Sequence, residues 1–523
     1  MKLSKKEKDF YQKLDVNITI TQAVHIDLVI AEIYPRLKLT KDNSRISKAN
    51  LKLLLLNLYQ NYMVHKNLLT GFDQNVNRYK PKSRYNKNQV SKAIIPVVKA
   101  LRDQGYIGYA NGNNSKVPWV ESHIARIKPK LRLINIIRKH KVEANQIQKL
   151  PNTESIIVQV GQGSSKVKVD YDDTPVTNKM REDLIKYNNL LKRSHIDVNV
   201  IPEEGVIFGK SEYPIAITQK NKFIRRIFND LEFETGGRYY GGWYQGLNSE
   251  WRNKITINLQ PTIEADFSAN GIKILYAIEK LEAPEGDAYD LTTVGYNNNK
   301  YSPEQLRPLL KLCLLIMINA KSYRQAFEAI KGDRNNPTKK LAQVSNSELE
   351  VILKIFADKH NGIRKYFYSS FGAHLYKYDS TVAEGVINHF TAKGVPVLCI
   401  HDSFIIELKY KEELTAVMQD SFNNTMLSNM APSVHTQEIL ILNDKRKMFA
   451  IDPETRAGRQ IHKNGGGLWS LIPEVIKDNT IFQYVTSTGT KTFKKEPFDQ
   501  DASYERYINF VDQQKRLEDN YYK

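Results

Sequence analysis

The spacing of apolar residues changes along the chain. Residues 1–45 are mixed and polar. In the segment 47–65 apolar side chains recur every three or four positions, at Leu51, Leu54, Leu55, Leu58 and Tyr62. This spacing places them on one face of a helix, so the segment is predicted to be helical and to pack through that face.

A second helix followed by two strands is predicted downstream. The segment 92–104 has helical apolar spacing, and Gly105 follows it as a residue that commonly ends helices. Two short strand-like runs then flank Asn111 and Gly112, a pair typical of a tight hairpin turn. A helix followed directly by a hairpin is typical of a winged helix-turn-helix, with residues 92–104 as its recognition helix.

Three cations of that segment are candidates for contacts with DNA. Lys92, Lys99 and Arg102 are expected to lie on or beside the outer face of the helix. Pro96 departs from the pattern, because proline inside a helix kinks or restarts it. The alternative is an ordinary α+β packing module in which the same segment forms core.

Two aspartates lie at the ends of strand-like runs. The segment 256–266 alternates like a strand, ends in Asp266 and is followed by a helical pattern. Within the segment 395–408, two apolar strands are joined by a tight turn that carries His401 and Asp402. An acid held at a buried strand end is costly unless a partner neutralises it, and a divalent cation can do so.

Two such aspartates suit phosphoryl transfer from a nucleoside triphosphate. That reaction uses two divalent ions roughly 3.5–4 Å apart, which carboxylates from neighbouring strands can hold. One ion activates the attacking hydroxyl, and the other stabilises the triphosphate and the leaving pyrophosphate. A nuclease could use the same two acids.

Arg307 and Lys311 lie between the two aspartates in the sequence. They are four residues apart, so they share one face of a helix, and Leu315 continues that face with an apolar side chain. Two cations on an otherwise apolar face suit the binding of a triphosphate. In isolation such a pair is equally typical of an exposed surface.

The net charge favours a polyanionic partner. The 523 residues include 77 Lys and Arg against 57 Asp and Glu, a formal charge of +20. A basic balance of this size is typical of proteins that bind nucleic acid. The alternative is a lysine-rich surface encoded by an AT-rich genome.

Length and composition predict a multidomain globular protein. We expect an N-terminal helical, winged-helix-like domain (1–135), a connecting or thumb-like helical region (136–205), a catalytic domain (206–452), for which the resemblance described below implies a palm and fingers, and a basic C-terminal extension (453–523). No apolar run is long enough to cross a bilayer, and the charged start lacks a secretion signal. The two cysteines exclude a disulfide framework. We therefore expect a cytoplasmic protein of a bacterial host cell that does not bind membranes.

Four short motifs occur in a fixed order between residues 223 and 408. They are ETGGR (234–238), ADFSANGIKILYA (265–277), the R-x-x-x-K pair at 307–311 and HDSF (401–404). In this order the chain resembles the family A DNA polymerases and the single-subunit RNA polymerases of the phage and mitochondrial type. The resemblance implies an α+β right-hand polymerase with an antiparallel palm sheet and helical fingers.

The resemblance also implies roles for the metal and triphosphate ligands. Asp266 and Asp402 would hold two Mg²⁺ ions, or Mn²⁺ in their place, and the carbonyl of Phe267 would complete one coordination shell. Arg307 and Lys311 would bind the triphosphate. Lys311 would also donate a proton to the pyrophosphate.

Four further positions gain an expected role from the resemblance. Arg238 would contact the template or hybrid backbone, and His401 would lie near the primer 3′ end. Asn319 and Ala320 replace the Tyr-Gly pair of the family, so Asn319 is the nucleotide-binding candidate there. Gly271 occupies the place where DNA polymerases carry a bulky acid that blocks the ribose 2′-hydroxyl.

Ribonucleotide synthesis is therefore the preferred interpretation. The chain is predicted to be a small DNA-dependent RNA polymerase or primase of a phage or mobile element, using nucleoside triphosphates on a DNA template, with its winged helix finding the start site. The runner-up is a DNA polymerase that selects the sugar through another residue. A further alternative is a non-catalytic DNA-binding replication protein on a polymerase scaffold.

Overall fold

The computed structural model describes residues 10–39, 44–112, 124–161, 163, 166–198, 207–208, 214–296, 300–332 and 344–427, and strands between 439 and 494. The α-helices of this part of the chain are α1 (Ala23–Ile33), α2 (Ser44–Val64), α3 (Ile94–Asp103), α4 (Leu131–Lys139), α5 (Pro175–Arg193), α6 (Ser249–Arg252), α7 (Asn270–Glu279), α8 (Pro303–Asn319), α9 (Tyr323–Gly332), α10 (Asn346–Lys359), α11 (Gly372–Ala392) and α12 (Lys411–Leu427).

The strands of the described residues form several sheets. They are β1 (Tyr11–Lys13), β2 (Ile18–Ile20), β3 (Leu69–Phe72), β4 (Ile107–Ala110), β5 (Ala125–Pro129), β6 (Ile147–Lys149), β7 (Ile156–Val160), β8 (Val167–Val169), β9 (Ile196–Val198), β10 (Ile207–Phe208), β11 (Pro214–Ile215), β12 (Arg225–Phe228), β13 (Gly236–Tyr240), β14 (Ile255–Ile257), β15 (Gln260–Phe267), β16 (Leu398–Ile400), β17 (Ser403–Glu407), β18 (Ile439–Ile441), β19 (Met448–Ile451), β20 (Gly458–Lys463), β21 (Trp469–Ile472), β22 (Ile481–Thr486) and β23 (Gly489–Lys494). The fold is mixed α+β.

The N-terminal part has its own hydrophobic core. The sheet β1-β3-β5-β4 packs against α2, which buries the apolar face that the spacing predicts. The helix expected over 47–65 is observed as α2, and its buried side chains include Leu51, Leu54 and Leu58. The sequence therefore identifies both this helix and the face through which it packs.

Helix α3 and the hairpin β4–β5 occupy the segment expected to form a winged helix. The helix begins at Ile94, so Pro96 lies in its first turn, where a backbone N–H has no partner inside the helix and proline is tolerated. Strands β4 and β5 pair antiparallel, while residues 113–123 between them lie outside the described residues. The described stretch between β3 and α3 contains no α-helix. The winged-helix assignment therefore stays a prediction.

The region 136–205 is a mixed segment rather than a helical one throughout. Its long helix is α5, and its strands β6, β7, β8 and β9 join three different sheets. Clustered β-branched residues, as in Ile156-Ile157-Val158, favour extended backbone over helix. Of the expected extension 453–523, strands β20 to β23 are described and the remainder lies outside the described residues.

The sheet β16-β17-β15-β14-β9 forms the centre of the larger core. Each of its strand pairs is antiparallel, and β18 pairs with the end of β15. Helices α7, α11 and α12 contact one another beside this sheet. No helix in the described part of the chain combines the length and apolarity needed to cross a bilayer.

A buried ion pair joins three parts of this sheet region. Glu264 on β15 is fully buried, and Nε of Arg252 from α6 lies 3.0 Å from both of its carboxylate oxygens. The hydroxyl of Ser403, the first residue of β17, donates to the same carboxylate at 2.8 Å. The pair therefore holds α6, β15 and β17 together in one register.

Breaking this pair should destabilise the fold strongly. Arg252→Ala leaves the Glu264 carboxylate buried without its cation, and we expect a loss of about 3–5 kcal/mol in the free energy of unfolding. The double variant Arg252→Met with Glu264→Leu should lose much less. Urea denaturation at pH 7 measures both. Arg36→Ala, which removes an exposed ion pair with Glu32, is the control, and an Arg252→Ala loss no larger than that of the control contradicts the prediction.

Candidate active site

Strand pairing brings Asp266 and Asp402 to the same end of two adjacent strands. Asp266 on β15 lies directly opposite Ser403 on β17, and Asp402 immediately precedes Ser403. Asp402 lies in the two-residue turn of the β16–β17 hairpin, after His401. His401 has a positive φ of 63°, which tight hairpin turns require at their first position. Adjacent strands are about 4.8 Å apart, so the two acids are neighbours although 136 residues separate them in sequence (402 − 266).

The environment of Asp266 favours a bound cation. Its Oδ1 atom is buried and has no hydrogen-bond partner among the described residues. Burial raises the pKa of Asp266 well above its usual range, and the charges of Asp402 and Glu264 raise it further. Lys311 and Arg252 act in the opposite direction but do not offset this. Without a cation, Asp266 therefore tends to hold a proton.

The donor set at this sheet end fits Mg²⁺ or Mn²⁺. Both ions prefer oxygen ligands, and Mg²⁺ is commonly bound by one or two carboxylates together with substrate phosphates and water. Among the described residues no group of three or more His, Cys, Asp and Glu side chains is arranged to hold a metal. The set thus consists of Asp266 and Asp402, with the expected main-chain carbonyl of Phe267 at the end of β15.

Helix α8 carries the two predicted triphosphate ligands. A capping box formed by Ser302 and Gln305 starts this helix. Nε of Arg307 donates to Oδ2 of Asp287 at 2.7 Å, and the Arg307 guanidinium lies 5.3 Å from the ring centre of Tyr289. The Lys311 ammonium lies 5.8 Å from the same ring. The two cations therefore share one buried aromatic support.

The loop that carries Asp287 and Tyr289 is anchored by α10. The Lys359 ammonium donates to the carbonyls of Asp287 and Asp290 at 2.9 and 2.6 Å and to the Thr293 hydroxyl at 2.9 Å. Burial lowers the pKa of His360 to about 4, so its ring is neutral at pH 7 and its Nε2 lies 2.9 Å from the Ala288 carbonyl. The sequence alone did not show that this loop contacts Arg307.

Arg238 lies beside the aspartate pair and is held by a buried acid. Its Nε donates to Oδ2 of Asp379 at 2.6 Å, and its guanidinium lies 4.0 Å from the ring centre of Tyr376. Asn270, at the start of α7, donates to the other oxygen of Asp379 at 2.8 Å. Burial raises the pKa of Asp379, Arg238 lowers it, and the charge of Asp402 raises it. The expected contact of Arg238 with nucleic acid stays a prediction.

Asp379 is the important residue that sequence reasoning did not assign. It lies in the middle of α11 with 3% of its surface exposed. An acid at a helical position that is otherwise apolar could have indicated a buried partner. The identity of that partner, Arg238, depends on a contact across 141 residues of sequence.

Gly271 and Asn319 both meet the first turn of α11. A Cβ atom added at Gly271 would lie 3.2 Å from Cδ2 of Leu375, and one added at Gly372 would lie 2.2 Å from Oδ1 of Asn319. Gly372 and Leu375 are three residues apart, so they share one face of the helix. Gly271 and Asn319, the two positions expected to sense the nucleotide, thus both lie against the first turn of α11.

The remaining predicted residues lie at two separate places. The His401 ring packs 5.2 Å from the ring of Tyr240, next to Asp402. Lys92, Lys99 and Arg102 are exposed, and they lie in and beside α3 in the N-terminal part. These three cations are not part of the cluster around the aspartates.

The comparisons with known proteins add little to this geometry. No family model matches the chain, and no curated protein matches it. Among solved structures it is similar to the POL domain of Pol1 from M. smegmatis, in a complex with DNA primer-template and dNTP. The sequences are 10% identical, the match covers 82% of this chain and 66% of the other, and the TM-score is 0.25. At this TM-score the likeness supports no conclusion about the function of the chain.

Divalent metal should stabilise the protein through Asp266. Metal ligands must be deprotonated, and the raised pKa of Asp266 means that Mg²⁺ competes with a proton at low pH. We expect Mg²⁺ at a hundred times its dissociation constant to add about 2–3 kcal/mol to the free energy of unfolding at pH 8.5, and less at pH 6. In EDTA the metal-free protein should be more stable at pH 6 than at pH 8.5. The folded state binds the Asp266 proton more tightly than the unfolded state does, so the free energy of unfolding falls as pH rises.

Thermal melting of wild type and Asp266→Asn, with Mg²⁺ or EDTA, measures this effect. Asp266→Asn should remove both the Mg²⁺ increment and the loss of stability with pH. Asp172→Asn, which changes an exposed acid, is the matched control and should behave as wild type. An equal Mg²⁺ increment in Asp266→Asn and wild type would contradict the assignment.

Proposed function

We propose that the chain is a template-directed nucleotidyltransferase that uses two divalent metal ions. The observation that carries this proposal is the pairing of Asp266 and Asp402 on adjacent strands, with a buried Asp266 oxygen that has no partner among the described residues. Arg307 and Lys311 on α8 provide the cations that such an acid pair needs for a triphosphate substrate. A nuclease has no triphosphate to bind, so a cation pair of this kind on one helix favours the nucleotidyltransferase.

Each side chain has a distinct part in the proposed reaction. Bound at Asp266 and Asp402, the ions would lower the pKa of the attacking hydroxyl and stabilise the pyrophosphate. Arg307 would exchange its contact with Asp287 for a phosphate oxygen and so orient the triphosphate. Lys311, whose charge acts on Asp266, would donate a proton to the leaving pyrophosphate. His401 would lie beside the primer end and be positioned by Tyr240.

The N-terminal part supports a contact with DNA. Arg102, at the end of α3, lines a groove of about 950 Å³ together with Lys66, Lys128, Lys130 and Arg132. Five cations along one groove suit a phosphodiester backbone. Recognition of a start site by this part of the chain remains part of the proposal.

Ribonucleotides are the proposed substrates, as for a DNA-dependent RNA polymerase or primase of a phage or mobile element. Gly271 has no side chain that could exclude a 2′-hydroxyl. One observation favours the alternative, a DNA polymerase: the Leu375 side chain lies beside Gly271, where a Cβ added at residue 271 would be 3.2 Å from its Cδ2 atom. Leu375 could restrict the sugar in place of a residue 271 side chain.

Primer extension on a DNA template tests the reaction itself. Wild type with Mg²⁺ should extend the primer, and Asp402→Asn should reduce the rate by at least about a hundredfold, the scale of losing one electrostatic stabiliser. Lys311→Ala should show a comparable loss, whereas Asp172→Asn should extend as wild type. If Asp402→Asn extends as fast as wild type, the catalytic proposal fails. If no protein extends with either nucleotide type, the non-catalytic DNA-binding alternative is favoured.

Sugar selection is tested at Gly271. We expect wild type to incorporate ribonucleotides, and Gly271→Glu to lower incorporation of ribonucleotides relative to deoxyribonucleotides by about tenfold or more, which is at least 1.4 kcal/mol of barrier. Gly271→Ala adds only a methyl group, which would lie 3.2 Å from Cδ2 of Leu375, so it tests the effect of added volume without added charge. Competition between the two nucleotide types in one extension assay measures the ratio. A wild type that uses deoxyribonucleotides alone supports the DNA polymerase alternative.

A further inference from the structure

A basic cavity lies between the N-terminal part and the larger core, apart from the aspartate pair. It has a volume of about 380 Å³ and is bounded by α5, by the segment 145–155 and by the segment 219–223. Four lysines line it, namely Lys149, Lys192, Lys220 and Lys222, and none of the described residues that line it is acidic. Several lysines around one cavity suit an anion inside it.

Neutral oxygens hold three of these lysines in place. The Lys220 ammonium donates to the carbonyls of Asn145 and Ile147 at 3.1 and 2.7 Å. The Lys222 ammonium donates to the Ser194 carbonyl at 2.5 Å, and Lys192 donates to the amide oxygen of Gln148. These bonds fix the positions of the ammonium groups.

The lysines also repel one another. Burial, with a smaller contribution from the charge of Lys192, lowers the pKa of Lys220 to about 8. Burial lowers the pKa of Lys222 to about 7, and the charge of Lys220 contributes. Lys149 differs, because it forms an ion pair with Asp15. Lys192, Lys220 and Lys222 are thus close enough for the charge of one to affect the pKa of the next.

The cavity wall also contains an unpartnered polar group. Ser155 is 1% exposed, and its hydroxyl has no hydrogen-bond partner among the described residues. A buried hydroxyl without a partner costs about 1–3 kcal/mol. A ligand oxygen that reached this hydroxyl would remove this cost.

We infer that this cavity binds the phosphate group of a ligand about the size of a mononucleotide. A phosphate offers several charged acceptor oxygens, which can take hydrogen bonds from the ammonium groups and from the Ser155 hydroxyl together. The volume lies at the lower end of the roughly 300–1,000 Å³ common for small-molecule sites. Phe223 lines the same space, and the Lys149 ammonium lies 5.5 Å from its ring centre.

The phosphate could come from a free nucleotide or from the 5′ end of a nucleic acid strand. Both present the same chemistry to the lysines. This site is separate from the proposed catalytic site and does not depend on it. Its binding can therefore be measured in EDTA, where the aspartate pair has no metal with which to hold a triphosphate.

Calorimetric titration of the full chain in EDTA and low salt tests the inference. The probes are adenosine 5′-monophosphate, adenosine, and a short DNA strand with or without a 5′-phosphate. Wild type should bind the monophosphate but not adenosine. Lys192→Glu and Lys220→Gln should each weaken binding by about tenfold or more, the expected loss for one charge-assisted hydrogen bond.

A matched variant on the same helix controls for overall charge. Lys186→Glu changes an exposed lysine of α5 that does not line the cavity, and it should bind the monophosphate as wild type does. Ser155→Ala removes the unpartnered hydroxyl, so it should keep its melting temperature while losing affinity severalfold. It therefore keeps the test valid if Lys220→Gln fails to fold.

The outcomes separate the two phosphate sources. Tighter binding of the 5′-phosphorylated strand than of the monophosphate, with the difference lost in Lys192→Glu, assigns the cavity to a strand end. Comparable or tighter binding of the monophosphate assigns it to a free nucleotide. Equal affinity of wild type and Lys192→Glu for every phosphate probe, or no binding by wild type, overturns the inference. None of these readings depends on whether the chain extends a primer.

Discussion

Burial of negative charge at the end of strands β15 and β17 shapes the structure around it. Glu264, Asp266, Asp379 and Asp402 come close enough there to affect one another's environment. Charges taken out of water are costly unless paired. Glu264 is neutralised by Arg252, and Asp379 by Arg238. With these two acids paired, Asp266 retains an unpartnered buried oxygen, and a cation is the partner that its position suits.

Helix α11 connects the two halves of this region. Its first turn meets Gly271 through Leu375, and its middle carries Asp379, which binds Arg238 and Asn270. One rigid helix therefore borders the expected sugar pocket and also orients a cation beside Asp402. A small shift of α11 would change both at once. Under the proposed function, α11 would therefore link the position expected to select the sugar with the acid pair.

The positively charged side chains of the protein lie in different kinds of surroundings. Arg252 and Arg238 neutralise buried acids. Lys192, Lys220 and Lys222 line one cavity, around which the described lining residues include no acid. Others, such as Arg102, line an open groove. A net charge of +20 indicates a polyanion partner, but only position shows which cations remain available to it.

The sequence alone determined the elements that local patterns encode. Apolar spacing predicted α2, and the alternating segment and tight turn identified β15 and the hairpin that carries Asp402. Side-chain periodicity and turn chemistry act over a few residues, so they can be predicted without tertiary contacts. The resemblance implied an antiparallel sheet with Asp266 and Asp402 on neighbouring strands. Only the tertiary structure decided the register of β15 and β17, that Asp379 binds Arg238, and that four lysines line one cavity. These contacts join distant segments, and neither spacing nor composition contains information about which segments meet.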